Sequence, residues 1–480
     1  MDKLAPKEGV LVTLCSLTAT RVFEANGRIF RILLTMSKKK EDDKTAKNHL
    51  TGEFAKLDYW HGLLPNEDTA NLLKTDGDFL LRGIIRDQEY YIIVSIRWGK
   101  NVLNAAVLEN KKGGWVFQEH NFDSIKDAID MYQVKKTPLI ICGTTCFLDS
   151  PIRRKSWELR QQMIKLGKEL GQGSYGTVYT GTMMIERQKV IKVAVKVLSE
   201  MTAEASNALW KEARYHQSFD HPNVVKMYGV ANDVLPYYLI MELVRGGSLD
   251  KYLIKKAGKL TIRQRINMLL DAAKGLGYLH DKGTIHRDVA ARNLLIDDEV
   301  VKVADFGMSR KCNSYKVDTN KPLNLRWLAP EVYKKQTVNK STDVYAFGVT
   351  MYEVFVDPYH IPYEDWDANK VYDEVIEGNY KLSMPDSAPA YIKQLFGECI
   401  GAEEERPTFK TIVVCLTNFQ EGKGERGLGV AFFHSPPHLV LILLLSLNEL
   451  FLIKNIIVFG HLTSKLPRLD SSPSGFRRCA

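Results

Sequence analysis

Cysteine is scarce, with seven residues in 480 and none at metal-ligand spacing. Cys142 and Cys146 lack the paired Cys or His that would complete a zinc site. The odd, dispersed set implies reduced thiols and a cytosolic setting. Long hydrophobic runs are missing too. A membrane-spanning helix needs about 20 consecutive apolar residues, and the best candidate, 439–459, is broken by Asn448, Glu449 and Lys454. One central charge costs about 2.5–3.5 kcal/mol against roughly 0.5 kcal/mol gained per Leu or Ile. The sum is near zero, which favours a buried or interfacial helix, or a poorly folded tail, over a membrane span. Stretch 10–17 follows Lys3 and Lys7 as a signal-peptide core would, but no small-residue cleavage site comes after it. Nor is there an internal repeat. The net charge of +9 sits in short clusters such as Lys38-Lys39-Lys40 and Arg153-Arg154-Lys155, without interleaved aromatics. That pattern fits solvated linkers and argues against a nucleic-acid partner.

What is present is a chain of ordinary globular composition with room for two to four domains. Residues 1–56 show no clear periodicity and end in the polar run 37–48, as an extension with little structure of its own would. The pattern sharpens at Tyr59. Trp60-His61-Gly62-Leu63-Leu64-Pro65 leads into a short helix over 66–74, with Pro at its entry. The turn Asp76-Gly77-Asp78 precedes strands at 79–82 and 90–96, followed by 102–108 and 115–117. A helix over 124–132, with Ile125, Ala128 and Ile129 on one face, closes a unit of about ninety residues.

Arg82 is out of place in its apolar strand. A buried guanidinium needs an anion, and its planar fork suits a phosphate, or internally an Asp or Glu. Trp60-His61-Gly62 with Gly77-Asp78-Phe79-Leu80-Leu81-Arg82 resembles a Src-homology-2 (SH2) domain over 57–146. The resemblance implies a central antiparallel sheet flanked by two helices, with Arg82 gripping phosphotyrosine. Three positions depart from it: Asn66 replaces a second phosphate-binding Arg, Ile84 a common Ser, and Asn104 a His. Hydrogen bonds to charged groups contribute about 1.5–3 kcal/mol each, so recognition is expected to be weakened, with Arg86 as a replacement donor. In the linker 147–164, Trp157 either docks on the unit that follows or lies exposed.

Leu170-Gly171-Gln172-Gly173-Ser174-Tyr175-Gly176-Thr177-Val178-Tyr179 gives GxGxxGxV, whose glycines let backbone N–H groups approach phosphates. A Rossmann loop would instead open a helix; here strand-like sequence continues and Val193-Ala194-Val195-Lys196 follows. Lys196 is the expected cation for the ATP α and β phosphates, and Glu212 its anionic partner. Sequence 237–243 predicts a strand entering a hinge, with Met241 limiting the adenine pocket and backbone groups of Glu242 and Val244 binding the base. Two further stretches carry chemistry: Ile285-His286-Arg287-Asp288-Val289-Ala290-Ala291-Arg292-Asn293 and Val303-Ala304-Asp305-Phe306-Gly307. There Asp288 accepts a hydroxyl proton while Asn293 and Asp305 hold Mg²⁺. His286 is expected to be structural. Arg287 is placed to meet a phosphate on Tyr315, the only tyrosine between Asp305 and Glu331. Glu331 is expected to pair with Arg406, and Asp343 to brace the catalytic loop.

Residues 165–419 resemble a complete eukaryotic protein kinase. Ala290-Ala291-Arg292 is the tyrosine-kinase form of the loop, which places Arg292 beside Asp288 among the catalytic residues. The unit order, Gly246-Gly247 and Asp305-Phe306-Gly307-Met308-Ser309-Arg310 look most like the Fes/Fer group of SH2-containing non-receptor tyrosine kinases. Val289, Asn324 and Ile400 depart from that group, Asn324 standing where a Pro shapes the substrate platform. No stretch of these residues resembles the group's membrane-curving and coiled-coil region, so its membrane role is not expected to carry over. The resemblance implies an α+β multidomain chain: extension 1–56, SH2 domain 57–146, linker 147–164, two-lobed kinase domain 165–419 and tail 420–480. It implies a cytoplasmic enzyme using ATP and Mg²⁺ on tyrosines of protein substrates. Phosphotyrosine-containing proteins would be partners through the SH2 domain, and membrane association peripheral at most. Dual or serine/threonine specificity and a non-catalytic adaptor are the rival readings.

Overall fold

Along the strand Asp78–Arg86, Phe79 and Leu81 alternate with Leu80 and Arg82, so the two sets face opposite sides of a sheet. In this computed structural model the described residues are 13–14, 53–86, 89–110, 112–173, 176–185, 189–198, 203–318, 323–378 and 380–421. Asp78–Arg86 pairs antiparallel with Glu89–Trp98, which pairs with Asn101–Glu109. Phe79, Leu81, Val94 and Ile96 pack on one side with the helix Ile125–Val134. That helix buries Ile125, Ala128, Ile129 and Tyr132 at helical spacing, and Ser124 caps it by accepting the Asp127 N–H. Leu80 lies on the other side with Leu64, Leu73 and Trp210, following the short helix Asn66–Leu72. A sheet covered on both faces needs the near-continuous apolar strands that the sequence has.

Two findings correct the expected edges of this unit. Phe54 is fully buried in its core, 4.9 Å edge-on from Trp115, and Thr13–Leu14 pairs with Asn104 and Ala105. The packed unit therefore starts before residue 57; a lone aromatic and a two-residue strand have no periodicity to announce them. Cys142 is disulfide-bonded, while Cys146 and Cys312 are free thiols. The expectation of wholly reduced cysteines fails at Cys142, because spacing along the chain says nothing of pairing across a fold. The rest of the extension, Ser174 and Tyr175, and 422–480 with its apolar tract lie outside the described residues. Among the described residues no helix is long and apolar enough to cross a membrane.

A second sheet has six strands in the order Glu158–Leu159, Met227–Ala231, Tyr238–Glu242, Val190–Leu198, Gly176–Met184, Ile164–Gly173. The helix Ala203–His216 lays Leu209 and Ala213 against Leu198, Met227, Val230 and Leu239. Leu63 from the first unit completes that cluster. Buried indole N–H groups need partners: Trp210 Nε1 donates to Leu63 O at 2.7 Å and Trp60 Nε1 to Asp233 O at 2.9 Å. Trp157 packs edge-on against Trp210 at 5.5 Å, so the linker tryptophan docks rather than lying exposed. Beneath it, buried His61 lies 2.6 Å from Glu158 Oε2.

The helical part begins at Ile262–Asp281, whose capping box is Thr261 with Gln264. At its centre runs Lys340–Phe355, with 13 of its 16 residues buried. A helix apolar all round belongs in a core. Gly348 lets Ala390–Cys399 come close, since a Cβ there would sit 2.7 Å from the Ile400 side chain. The chain divides into two units, Met1–Val414 and Cys415–Ala480, the second described only to Glu421.

Candidate active site

The hairpin of Ile164–Gly173 and Gly176–Met184 sets Gly173 opposite Gly176, Gln172 opposite Thr177, and Gly171 opposite Val178. A Cβ on Gly176 would lie 2.1 Å from Val197 O, so only glycine lets the hairpin lie this close to the next strand. Val178 stands opposite Lys196, and Ala194 opposite Met241. The glycine loop, the lysine and the methionine of the expected adenine pocket thus occupy three neighbouring strands. Glu242 donates its backbone N–H to Lys226 O at 2.8 Å and pairs through its carboxylate with Lys302 at 2.9 Å; Val244 is buried beside it in sequence.

Lys196 Nζ lies 2.8 Å from Glu212 Oε2 on the helix Ala203–His216. Burial pushes the Glu212 carboxyl pKa up, against the pull of Lys196. Phe306, 1% exposed, packs 4.4 Å from His216 and 5.3 Å from Phe219, seating the segment after Asp305 under that helix. Asp305 itself is exposed, with φ 59°. A Cβ placed on Gly307 would lie 3.3 Å from Asp305 Oδ1 and 3.9 Å from Glu212 Oε2, so the acid and the ion pair are neighbours.

The loop around Asp288 hangs from buried Asp343. Its carboxylate accepts the backbone N–H of His286 at 2.7 Å and of Arg287 at 2.8 Å, and lies 3.0 Å from His280 Nε2. This brace holds Arg287 at φ 72°. His286 Nε2 is 3.0 Å from Ala304 O, a structural tie between the two motif segments. The Asp288 carboxylate accepts three hydrogen bonds. Arg292 Nη2 at 2.5 Å and Asn324 Nδ2 at 2.8 Å meet Oδ1, while Asn293 Nδ2 meets Oδ2 at 2.8 Å. Arg292 stacks over Trp327 at 4.3 Å. Buried Glu353 supports both by accepting the Ala291 N–H and Trp327 Nε1, each at 2.9 Å. Arg406 grips Glu331 bidentately at 2.5 and 2.9 Å.

Tyr315 is held by a short ladder between Ser314–Lys316 and Thr337–Asn339. The Arg287 guanidinium lies 4.4 Å from its ring centre and that of Arg310 5.0 Å. Neither arginine Nε has a partner among the described residues. Hydrogen bonding to Arg310, aided by the charges of Arg310 and Arg287, lowers the phenol pKa despite partial burial.

Residues 164–416 match the family model of protein tyrosine and serine/threonine kinases. The chain belongs to that family. It is 32% identical to tyrosine-protein kinase Fer of Homo sapiens over 371 residues, covering 76% of this chain and 44% of that protein. Fer-related kinase 1 of Caenorhabditis elegans is 30% identical over 394 residues, 79% of this chain and 99% of the relative. Spermatocyte protein spe-8 of Caenorhabditis briggsae is 31% identical over 374 residues, 74% and 70% respectively. Within its family the chain is therefore Fes/Fer-like, and it spans 44% of the length of the mammalian Fer proteins it matches. The six-stranded sheet and the helical part after it are the two lobes of the kinase.

In the amino-terminal unit of the kinase, Arg82 is 1% exposed and meets no carboxylate among the described residues. Nε donates to Ser95 Oγ at 2.9 Å and Nη1 to Leu64 O at 2.6 Å; Nη2 donates to Asn66 Oδ1 at 2.7 Å and Asn104 Oδ1 at 3.3 Å. Neutral acceptors thus stand where an internal carboxylate was the alternative, and burial lowers the guanidinium pKa to about 10. The Arg86 side chain lies outside the described residues. Sequence reasoning misses Asn324 on Asp288, Arg310 beside Tyr315, and Glu353 beneath the loop. Asn324 does signal itself by replacing the family's proline. Glu353 gives no signal, since one acid in an apolar helix does not name its partners.

Proposed function

We propose that the chain is an ATP-dependent protein-tyrosine kinase that transfers the γ-phosphoryl group to tyrosine hydroxyls of protein substrates. One observation carries this: the Lys196–Glu212 pair is closed at 2.8 Å with Asp305 beside it, and Asn293, whose backbone accepts the Ala304 N–H next to Asp305, joins Arg292 in orienting the Asp288 carboxylate. Phosphoryl transfer leaves little covalent work to the protein, so positioning and charge do most of it. The backbone of Gly171, Gln172, Gly173, Ser174, Tyr175 and Gly176 covers the phosphates, and Lys196 holds the α and β groups. Val178, Ala194, Met241, Glu242 and Val244 bound the adenine. Asp288 takes the proton of the acceptor hydroxyl, and Arg292 steadies its charge.

Asn293 and Asp305 fit Mg²⁺. Both offer hard oxygen ligands; the Asn293 amide nitrogen is committed to Asp288, which assigns its carbonyl oxygen to the ion, and Asp305 is exposed. When bound, the ion neutralises charge on the phosphate oxygens. Residues 165–419 form the catalytic domain in this reading, joined by the linker 147–164 to an SH2 domain that adds Phe54 and the strand Thr13–Leu14 to the expected 57–146, with a tail at 420–480. Arg82 is its phosphotyrosine residue, and binding is weak because a phosphate must displace Asn66. Phosphorylation of Tyr315 adds about −1.5 to −2 charge between Arg287 and Arg310 and orders the segment. Likeness to Fer kinases supports a cytoplasmic location with peripheral membrane contact at most.

A radiolabelled-ATP assay on a tyrosine copolymer, comparing the parent with Asp288→Asn, tests this. Label should reach tyrosine, by phosphoamino-acid analysis, and fall about 10²–10⁴-fold in the variant. An inert parent with Mg-ATP under activating conditions, or equal labelling by the variant, would overturn the assignment; label on serine would move it to the other acceptor class.

A further inference from the structure

Asn324 lies 36 residues from Asp288 in sequence, yet its side-chain nitrogen is 2.8 Å from Asp288 Oδ1. An ionised carboxylate only accepts, so the amide must present its N–H there and the orientation is chemically fixed. The contact is not that of a loose tail. Asn324 caps the turn Leu325–Trp327, and its backbone carbonyl accepts the Trp327 N–H at 3.0 Å. Within that turn, Arg326 donates to the backbone carbonyls of Pro362, Tyr363 and Trp366, and Trp327 to Glu353. A rigid platform therefore aims the carboxamide.

The oxygen it meets is a reactive one. A general base must come within about 2.6–3.2 Å of the hydroxyl it serves. With Arg292 and Asn324 on Oδ1 and Asn293 on Oδ2, three of the carboxylate's roughly four acceptor sites are taken. Arg292 and Asn293 belong to the same loop as Asp288, whereas Asn324 comes from the segment against which a peptide would lie, and it is exposed. It is the donor that can leave.

We infer that Asn324 is an acceptor-site gate, a positioning residue whose carboxamide stands in for the incoming hydroxyl on Asp288 and is displaced when a substrate tyrosine enters. The inference rests on the kinase reading above and gives it a specificity element. A weak acceptor pays the cost of breaking a charge-assisted hydrogen bond before it can bind, so the gate raises the peptide KM and leaves the ATP site alone.

Asn324→Ala and Asn324→Pro, each checked by thermal melting against the parent, test it in two ways. In steady-state kinetics kcat/KM for a tyrosine peptide should rise about tenfold. The gain should fall in the peptide KM rather than in kcat, with KM for ATP unmoved. In a fluorescence titration of the same peptide onto protein loaded with a non-hydrolysable ATP analogue, the dissociation constant should drop by a similar factor. Unchanged or weaker peptide binding in both folded variants would overturn the gate; weaker binding would make Asn324 a substrate contact. A parent that binds peptide but transfers no phosphoryl group would sink the enzyme reading, while the titration would still judge the gate.

Discussion

Arg82 and Asp288 are the charged groups that the two expected ligands would meet, and an asparagine stands on each. Asn66 accepts from Arg82 at 2.7 Å; Asn324 donates to Asp288 at 2.8 Å. Their surroundings differ. Arg82 is 1% exposed and gives four hydrogen bonds to neutral groups of its own unit. Asp288 is only half-buried, and two of its three partners come from its own loop. A buried charge with its donors already engaged is part of the packing, because removing it strands its partners. A charge at the edge of a cleft, held by few bonds, can exchange them for a substrate. The same device would therefore weaken one site and gate the other.

The sharpest way to break this contrast is at Glu212. Glu212→Gln removes the anion facing Lys196 while keeping the shape, and turnover should fall about a hundredfold or more. Because burial already disfavours the Glu212 charge, thermal stability should hold or rise. A loss of fold instead of activity would show that the cleft charges serve packing. The next effect is smaller and lies at the other site. Asn66→Arg replaces the acceptor on Arg82 with a second cation, and phosphotyrosine-peptide affinity by calorimetry should rise about tenfold. No gain would mean that Leu64, Ser95 and Asn104 alone suffice to keep Arg82 from a phosphate.

Residues assigned to the proposed chemistry were the most legible in the sequence. In the proposed reading the order Gly171, Lys196, Glu212, Asp288, Asn293, Asp305 is set by a reaction rather than by packing, and Lys196 and Glu212 do meet at 2.8 Å. Periodic elements were legible to within a few residues. The strand Trp115–Phe117 falls where it is expected, while the helix expected from 124 starts at Ile125, because Ser124 is its cap. Pairings across the fold were not. His61 with Glu158, Trp210 with Leu63 and Asn324 with Asp288 join residues 97, 147 and 36 positions apart. No periodicity records such contacts, and single polar residues in apolar surroundings do not name their partners. Arg82 shows the limit most plainly: its burial was readable, its four neutral acceptors were not.

Tyr315 refines the comparison, since it would bring a new anion to an open basic site. Tyr315→Phe keeps the ring between Arg287 and Arg310 and removes the oxygen. Activity after preincubation with Mg-ATP should fall several-fold, while the rate without preincubation stays near the parent's. Equal rates in both assays, with equal protease protection of the segment, would remove the switch.

The smallest effect concerns pH and the helix that carries Glu212. His216 ends that helix, 1% exposed, with Nε2 hydrogen-bonded to Val225 O and its ring 4.4 Å from Phe306. Burial lowers its pKa from 6.5 to about 4; the bond to Val225 opposes the shift and the nearby Lys196 charge adds to it. Between these values the unfolded chain takes up a proton that the native imidazole refuses. The stability tied to this group is therefore complete above pH 6.5 and is lost as the pH falls toward 4. Acid should loosen the helix bearing Glu212 and the seat of Phe306 through this residue, while Arg82 stays charged throughout that range. In melting curves at pH 7.5 and 5.0, His216→Gln should lose a few degrees less than the parent between the two. Parallel losses would place the acid sensitivity on another group and leave the kinase cleft no more pH-dependent than the site it is compared with.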